Sequence, residues 1–117
     1  MEFFINDPNI QRLPPVETRF LDLRAEPDPD GKRIRVALEL TPFQKRPDIE
    51  LKLMDSTGKE ISSASIIEPV SWKLELTLHI RINAPAAGKY TLSASLSYPE
   101  LGAIDQQMLV VEITSST

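Results

Sequence analysis

The chain of 117 residues is long enough for one domain with a single hydrophobic core. Its hydrophobic content of 41% and charged content of 26% are typical of a globular protein, so extensive disorder is disfavoured. The formal net charge of −4 argues against nucleic acid as a partner, because phosphate binding needs clustered Lys and Arg. The absence of cysteine excludes disulfides, thiol nucleophiles, iron–sulfur clusters and cysteine-ligated zinc.

The first 15 residues have the character of a leader that is partly ordered or flexible. Pro14 and Pro15 favour an extended polyproline conformation within it. The segment lacks the basic start and sustained apolar run of a signal peptide, so we expect a cytoplasmic protein if Met1 is the natural start. No stretch approaches the roughly 20 apolar residues that span a bilayer, and we therefore expect no membrane insertion.

Seven segments of alternating apolar and polar residues follow the leader. A period of two places apolar side chains on one face of a β-strand and polar side chains on the other. In chain order, the predicted strands cover residues 17–25, 32–41, 48–54, 60–67, 72–82, 89–98 and 106–114. In the first of them Leu21, Leu23 and Ala25 share one face and Phe20 lies on the other, which a β-bulge or burial on both faces would explain.

The segments between these strands carry turn chemistry. Residues 27–31 and 99–102 combine Pro and Gly, which favours chain reversal. Residues 55–59 indicate a short hairpin loop with Gly58 in the left-handed conformation. Residues 42–47 begin and end with proline, and their length suits a crossover between two sheets.

Seven short antiparallel strands in one small domain are typical of an all-β, immunoglobulin-like β-sandwich with Greek-key connections. A closed β-barrel is the alternative. We expect the sandwich to span residues 16–114 and residues 115–117 to form a frayed tail. No segment predicts a helix of useful length.

Two segments stand out within this pattern. They are LKLMDSTGKEI at residues 51–61 and AGKYTL at residues 87–92, where a glycine precedes a tyrosine expected to be buried. These segments resemble bacterial immunoglobulin-like and fibronectin-III-like β-sandwich domains, and the resemblance extends as a pattern over residues 16–114. It implies a Greek-key sandwich with a non-catalytic scaffold or binding role, and it implies no catalytic residue, because such domains share none.

Candidate catalytic and metal-ligating residues are few. His79 is the single histidine, and its parity places it on an outward sheet face, where we expect neither an oxyanion hole nor a water-excluding pocket. Asp28, Asp30 and Asp55 lie in turns, where Asp bonds to its own backbone, whereas calcium requires about six to eight oxygens. We therefore predict no catalytic residue, no metal, no cofactor and no enzymatic activity.

The crossover at residues 42–47 is a candidate partner-binding loop. Phe43 lies near the cations Lys45 and Arg46 between two prolines, and an exposed aromatic side chain on a stiff loop suits a protein contact. The alternative is that Phe43 plugs one end of the sandwich, since aromatic side chains commonly bury most of their surface.

The outward residues of the sixth predicted strand form a second candidate. They are small and uncharged: Thr91, Ser93, Ser95 and Ser97. If this strand lies centrally in its sheet, the row occupies the middle of a flat surface on which another protein or a second copy of the chain could bind. The alternative is an ordinary solvated sheet face.

These patterns predict a non-enzymatic module for protein–protein interaction or structure, with another protein or a second copy as the partner. A carbohydrate-binding module is the alternative function, and it requires at least two exposed, coplanar aromatic side chains. Trp72 and Tyr90 share the parity of apolar runs, so we expect both in the core. Trp72 or Tyr98 on the surface would favour the carbohydrate alternative.

Overall fold

The computed structural model describes residues 11–29, 32–80 and 88–113. Their secondary structure is a short 3-10 helix, Pro15–Glu17, followed by β1 (Phe20–Pro27), β2 (Arg33–Leu40), β3 (Asp48–Met54), β4 (Glu60–Ile67), β5 (Lys73–His79), β6 (Gly88–Tyr98) and β7 (Gly102–Ile113). Most of the predicted leader, the predicted tail and Asp30 lie outside the described residues. The domain boundary at residue 16 stays a prediction.

The seven strands form two antiparallel sheets. One sheet has the order β1-β2-β5 and the other has the order β4-β3-β6-β7. The chain passes from one sheet to the other after β2, after β4 and after β5, which gives Greek-key connectivity. The predicted immunoglobulin-like sandwich is therefore confirmed. Its β4 pairs with β3, whereas the fourth strand of a constant-type immunoglobulin domain joins the sheet of the first two strands.

The core lies between the two sheets and follows from the alternation in the sequence. In β2, for example, every second residue from Ile34 to Leu40 is buried and the residues between them are exposed or half-buried. The buried cluster contains Phe20, Ile34, Val36, Leu38, Leu40, Phe43, Ile49, Leu51, Leu53, Trp72, Leu78, Ile80, Tyr90, Leu92, Ala94, Leu96, Val111 and Ile113. Burial of this apolar surface provides the main driving force for folding.

The expected bulge occurs in β1. The pairing of β1 with β2 shifts register between Phe20 and Asp22, so that Phe20 is buried while Leu21 is 59% exposed. The prediction that Leu21 and Leu23 share a face is wrong, because the extra residue of the bulge reverses the phase of the alternation.

The last strand is longer than predicted. β7 begins at Gly102, four residues before the predicted start, and Gly102 has a φ of 75°. A register shift between Leu96 and Ser97 allows Ala103 to pair with Ser97. The prediction that the turn extends through Gly102 is wrong, because this glycine already belongs to the hairpin ladder. With 12 residues, β7 is the longest strand among the residues described.

The Tyr98 hydroxyl connects three segments at one end of the sandwich. It donates a hydrogen bond of 2.7 Å to the main-chain oxygen of Lys45 and lies 3.2 Å from the hydroxyl of the fully buried Thr18. The Thr18 hydroxyl also lies 3.1 Å from the Pro14 carbonyl, and its single hydrogen is donated either to that oxygen or to the Tyr98 oxygen. Burial raises the pKa of Tyr98 above its usual value of 10.0, against the lowering effect of the Thr18 hydrogen bond.

Candidate interaction surfaces

The crossover loop buries the aromatic residue that sequence reasoning proposed as a contact. Phe43 is 4% exposed and packs edge-on against Trp72, with ring centroids 5.9 Å apart and planes at 90°. This placement matches the plug alternative. The loop is also joined to the N-terminal segment, because Leu13 donates a backbone hydrogen bond to Pro42 and accepts one from Gln44.

The two cations of the same loop remain on the surface. The Lys45 ammonium lies 2.7 Å from a carboxylate oxygen of Glu100 in the turn before β7, and about half of each side chain is exposed. This hydrogen bond holds the pKa of Glu100 below its usual value. Arg46 is exposed. A partner-binding role for Phe43, Lys45 and Arg46 stays a prediction. Of these side chains, Lys45 and Arg46 are exposed, whereas the ring of Phe43 is buried.

The row of small residues lies on a central strand. β6 is flanked by β3 and β7, and the register places Ser95 between Glu50 of β3 and Gln106 of β7. Ser93 is buried and accepts a hydrogen bond of 3.1 Å from the side-chain amide of Gln106. The row of Thr91, Ser93, Ser95 and Ser97 therefore occupies the middle of the outer face of the four-stranded sheet.

Exposed apolar side chains border this row. Met108 and Val110 of β7 are 62% and 63% exposed, and they pair with Ser93 and Thr91 across the ladder. Ile67, at the end of β4, is 66% exposed, but Asp48 of β3 separates it from the row. Sequence reasoning missed Met108 and Val110 as site residues, although their parity in the predicted strand 106–114 places them on the face opposite to the buried Val111 and Ile113.

We call the outer surface formed by Thr91, Ser93, Ser95, Ser97, Met108 and Val110 the serine face. Its members carry no charge, and the charged residues directly opposite them on the sheet are Asp48, Glu50 and Lys52 of β3. The Lys52 ammonium lies 3.8 Å from the Glu50 carboxylate. Because the face combines small polar groups with exposed apolar ones, water can be removed from it without leaving a buried unpaired charge.

The outer face of the three-stranded sheet is chemically different. Arg35 lies 2.7 Å from Glu26 and 3.3 Å from Asp28, and Arg33 lies 3.2 Å from Asp28. Covering this surface with a partner would require these ions to lose water, and such desolvation commonly offsets the gain from new contacts. The contrast between the two faces favours the serine face as a binding surface.

The residues considered for catalysis and metal binding lie apart from one another. His79 is exposed, and its main-chain oxygen accepts a hydrogen bond of 2.8 Å from Ser62. The Asp55 carboxylate accepts hydrogen bonds from the hydroxyl and amide of Thr57 and from the amide of Lys59, and the Thr57 hydroxyl contributes most to lowering the Asp55 pKa. No group of three or more metal-ligating side chains occurs within residues 11–29, 32–80 and 88–113.

The aromatic side chains that the structure describes belong to the core. Trp72 and Tyr90 are buried as predicted, and so is Tyr98. In the part of the chain with described coordinates, the exposed pair of aromatic rings that a sugar-stacking site requires is therefore absent. Within that part of the chain, no helix is long and apolar enough to cross a membrane.

Comparison with known proteins gives similarity at the level of structure. No protein-family model and no curated protein sequence matches the chain. Among solved structures, it is similar to a glycosyl hydrolase family 2 member from Bacteroides cellulosilyticus (TM-score 0.60, 13% identity, 82% of this chain and 15% of that chain). It is also similar to β-glucuronidases from Parabacteroides merdae (0.62, 12%, 82% and 14%) and Ruminococcus gnavus (0.54, 17%, 83% and 16%).

The chain spans only about 15% of the length of the glycosyl hydrolase that it resembles. At identities of 12% to 17% the likeness concerns the fold. Together with the two-sheet topology, it shows that the chain is an immunoglobulin-like β-sandwich domain.

Proposed function

We propose that this chain is a non-enzymatic interaction module that binds another protein through the serine face. One observation carries the proposal: the outward row of β6 (Thr91, Ser93, Ser95 and Ser97) is small and uncharged, and it is bordered on β7 by Met108 and Val110, each more than 60% exposed. The ion pairs on the outer face of the other sheet are closer, at 2.7 to 3.3 Å, than the 3.8 Å between Lys52 and Glu50. Protein interfaces combine a central patch poor in charge with a polar rim. The serine face has this composition, and the neighbouring residues Glu50 and Lys52 supply the rim.

The experiment that tests the proposal is affinity capture from native extract with a matched pair of variants. Thr91→Glu introduces a carboxylate between Met54 and Val110 on the serine face. Thr77→Glu introduces the same group on the other sheet, opposite Arg35. We expect proteins retained by the wild type to remain with Thr77→Glu and to be lost with Thr91→Glu, because a charge on the binding surface must be desolvated.

Both variants must unfold at denaturant concentrations close to that of the wild type, so that a loss of binding reports on the surface. Equal retention by all three proteins would contradict the assignment to the serine face. Equal loss with both glutamate variants would show that the binding depends on overall charge.

Association with carbohydrate is the second candidate function, and the glycosyl hydrolases and β-glucuronidases among the similar structures favour it. The burial of Trp72, Tyr90 and Tyr98 argues against a stacking site in the described residues. Calorimetric titration with glucuronide oligosaccharides distinguishes the two functions. We expect no heat of binding. Saturable binding of the oligosaccharide would contradict the proposed protein partner and support carbohydrate binding instead.

A further inference from the structure

We infer that the free edge of β7 is a self-association site, at which a second copy of this chain adds its own β7 in antiparallel orientation. The two four-stranded sheets then form one continuous sheet of eight strands. The inference rests on the proposed function, because it names a second copy of the chain as a partner of the interaction module. The continuous sheet would carry two serine faces side by side.

β7 is the terminal strand of its sheet, and its side chains lack the features that usually protect an edge. Near the start of β7, Asp105 contacts β1 of the other sheet, because the Phe20 N–H donates a hydrogen bond of 2.9 Å to its carboxylate. The 12 residues of β7 include neither proline nor any basic residue, and the charged ones are Asp105 and Glu112. β1, an edge strand of the other sheet, instead presents Asp22, Arg24 and Glu26 and ends in a proline. Charged side chains and prolines are common devices against edge-to-edge pairing, so the two edges differ in their capacity to accept another strand.

A hydrogen bond of Gln106 indicates which backbone N–H and C=O groups of β7 point away from β6. The Gln106 N–H donates a hydrogen bond of 2.9 Å to the carboxylate of the preceding Asp105. Alternate residues of an antiparallel strand point their N–H and C=O groups to the same side. The N–H and C=O groups of Met108, Val110 and Glu112 therefore point toward the edge that β6 does not occupy.

One antiparallel register suits two identical copies of this strand. If the two-fold axis passes through Leu109, then Met108 of each copy faces Val110 of the other copy, and Gln106 faces Glu112. This register brings the two exposed apolar side chains together and places no like charges opposite each other. The contact is isologous, so it closes as a dimer.

A groove of about 780 Å³ lies next to the edge, lined mainly by β1, β2 and β5, and it reaches β7 at Leu109. Its lining combines the half-buried Leu23, Ala25 and Leu109 with charged side chains of the three-stranded sheet: Arg24, Glu26, Arg35 and Glu75. Because the groove belongs mainly to the other sheet, we base the inference on the β7 edge itself.

Sedimentation velocity over a range of protein concentrations tests the inference. We expect the mass to rise with concentration from 13.1 kDa toward twice that value. The variant Met108→Lys/Val110→Lys places cations opposite each other across the axis and should remain monomeric. The variant Met108→Lys/Val110→Glu places each cation opposite an anion and should regain the dimer. Ile67→Lys, at an equally exposed position on the other edge strand β4, should dimerise like the wild type.

Hydrogen exchange of the wild type supplies a readout of the backbone. We expect the amides of Met108, Val110 and Glu112 to exchange more slowly as the dimer forms, while those of β4 remain unchanged. A wild type that stays monomeric at every concentration overturns the inference. So does a dimer whose protection lies on another strand, or a β7 edge that becomes protected only when a different protein is added. The extract capture tests the proposed function separately, because it detects a different protein, whereas sedimentation of the wild type alone detects self-association.

Discussion

Removal of the Tyr98 hydroxyl by Tyr98→Phe tests how one end of the sandwich is held together. The hydroxyl donates to the Lys45 carbonyl at 2.7 Å and lies 3.2 Å from the Thr18 hydroxyl, and Thr18 is fully buried. When one member of a buried hydrogen-bonded group is removed, its partners remain without water, and the cost is about 1–3 kcal/mol. We therefore expect Tyr98→Phe to lower the free energy of unfolding by about 2 kcal/mol. For a domain of this size, the change corresponds to a decrease in Tm of roughly 8 °C.

Urea denaturation of the wild type, Tyr98→Phe, Thr18→Val and the double variant measures the effect. The two hydroxyls are in contact, so the double-mutant cycle should give a coupling energy of about 0.5 kcal/mol or more. The cycle of Tyr98→Phe with Thr77→Val is the control, because Thr77 is an exposed residue of β5. Its two changes should be additive within about 0.5 kcal/mol.

Two results would refute the reasoning. A loss below about 0.5 kcal/mol for Tyr98→Phe would mean that the hydroxyl makes no net contribution beyond that of a solvated group. Full additivity with Thr18→Val would mean that the two hydroxyls act independently. In the first case the three segments must be held together by other contacts, such as the backbone hydrogen bonds of Leu13 with Pro42 and Gln44.

Three further predictions concern stability. Because the pKa of Tyr98 is raised above 10.0, the folded protein keeps this proton at a pH at which the unfolded chain loses it. The contribution of Tyr98 to stability is therefore complete below pH 10.0 and falls as the pH rises through the folded pKa, so the difference in unfolding free energy between the wild type and Tyr98→Phe should shrink in alkaline urea titrations. Trp72→Ala should cost about 3–5 kcal/mol as a core truncation, and a loss below about 1 kcal/mol in the same assay would place the ring on the surface. Gly58→Ala should cost about 1–2 kcal/mol, because Gly58 has a φ of 89° that L side chains rarely adopt. The added Cβ meets no atom within 4 Å, so the cost comes from the backbone alone, and an unchanged denaturation midpoint would exclude backbone strain.

The alternation in the sequence predicted the faces of the strands well. The bounds of β3 and β4 agree with the prediction at residues 48–54 and 60–67, because both strands have turn-forming residues at their ends. The errors at Leu21 and at Gly102 occur next to register shifts. The first strand also differs from its predicted bounds of 17–25, because it runs from Phe20 to Pro27. A period of two indicates which residues share a face only while the register is continuous, so each bulge limits the prediction.

The surfaces were harder to predict than the core. Alternation assigns Ser95 to an outer face, but the strand order that places it between Glu50 and Gln106 depends on long-range pairing. For the same reason, the sequence does not show that Met108 and Val110 lie on an edge strand. Phe43 illustrates a different difficulty: its loop is polar in composition, and only the contact with Trp72 shows that the ring is buried.

The most direct test of the serine face as a binding surface is an NMR titration. A protein that the wild type retains and Thr91→Glu loses would be added to the isotope-labelled chain, and amide shifts would be mapped onto the structure. We predict that the shifts cluster on Thr91, Ser93, Ser95, Met108 and Val110. Shifts that cluster on the charged outer face of β1, β2 and β5, or on residues 42–47, would contradict the proposed binding surface.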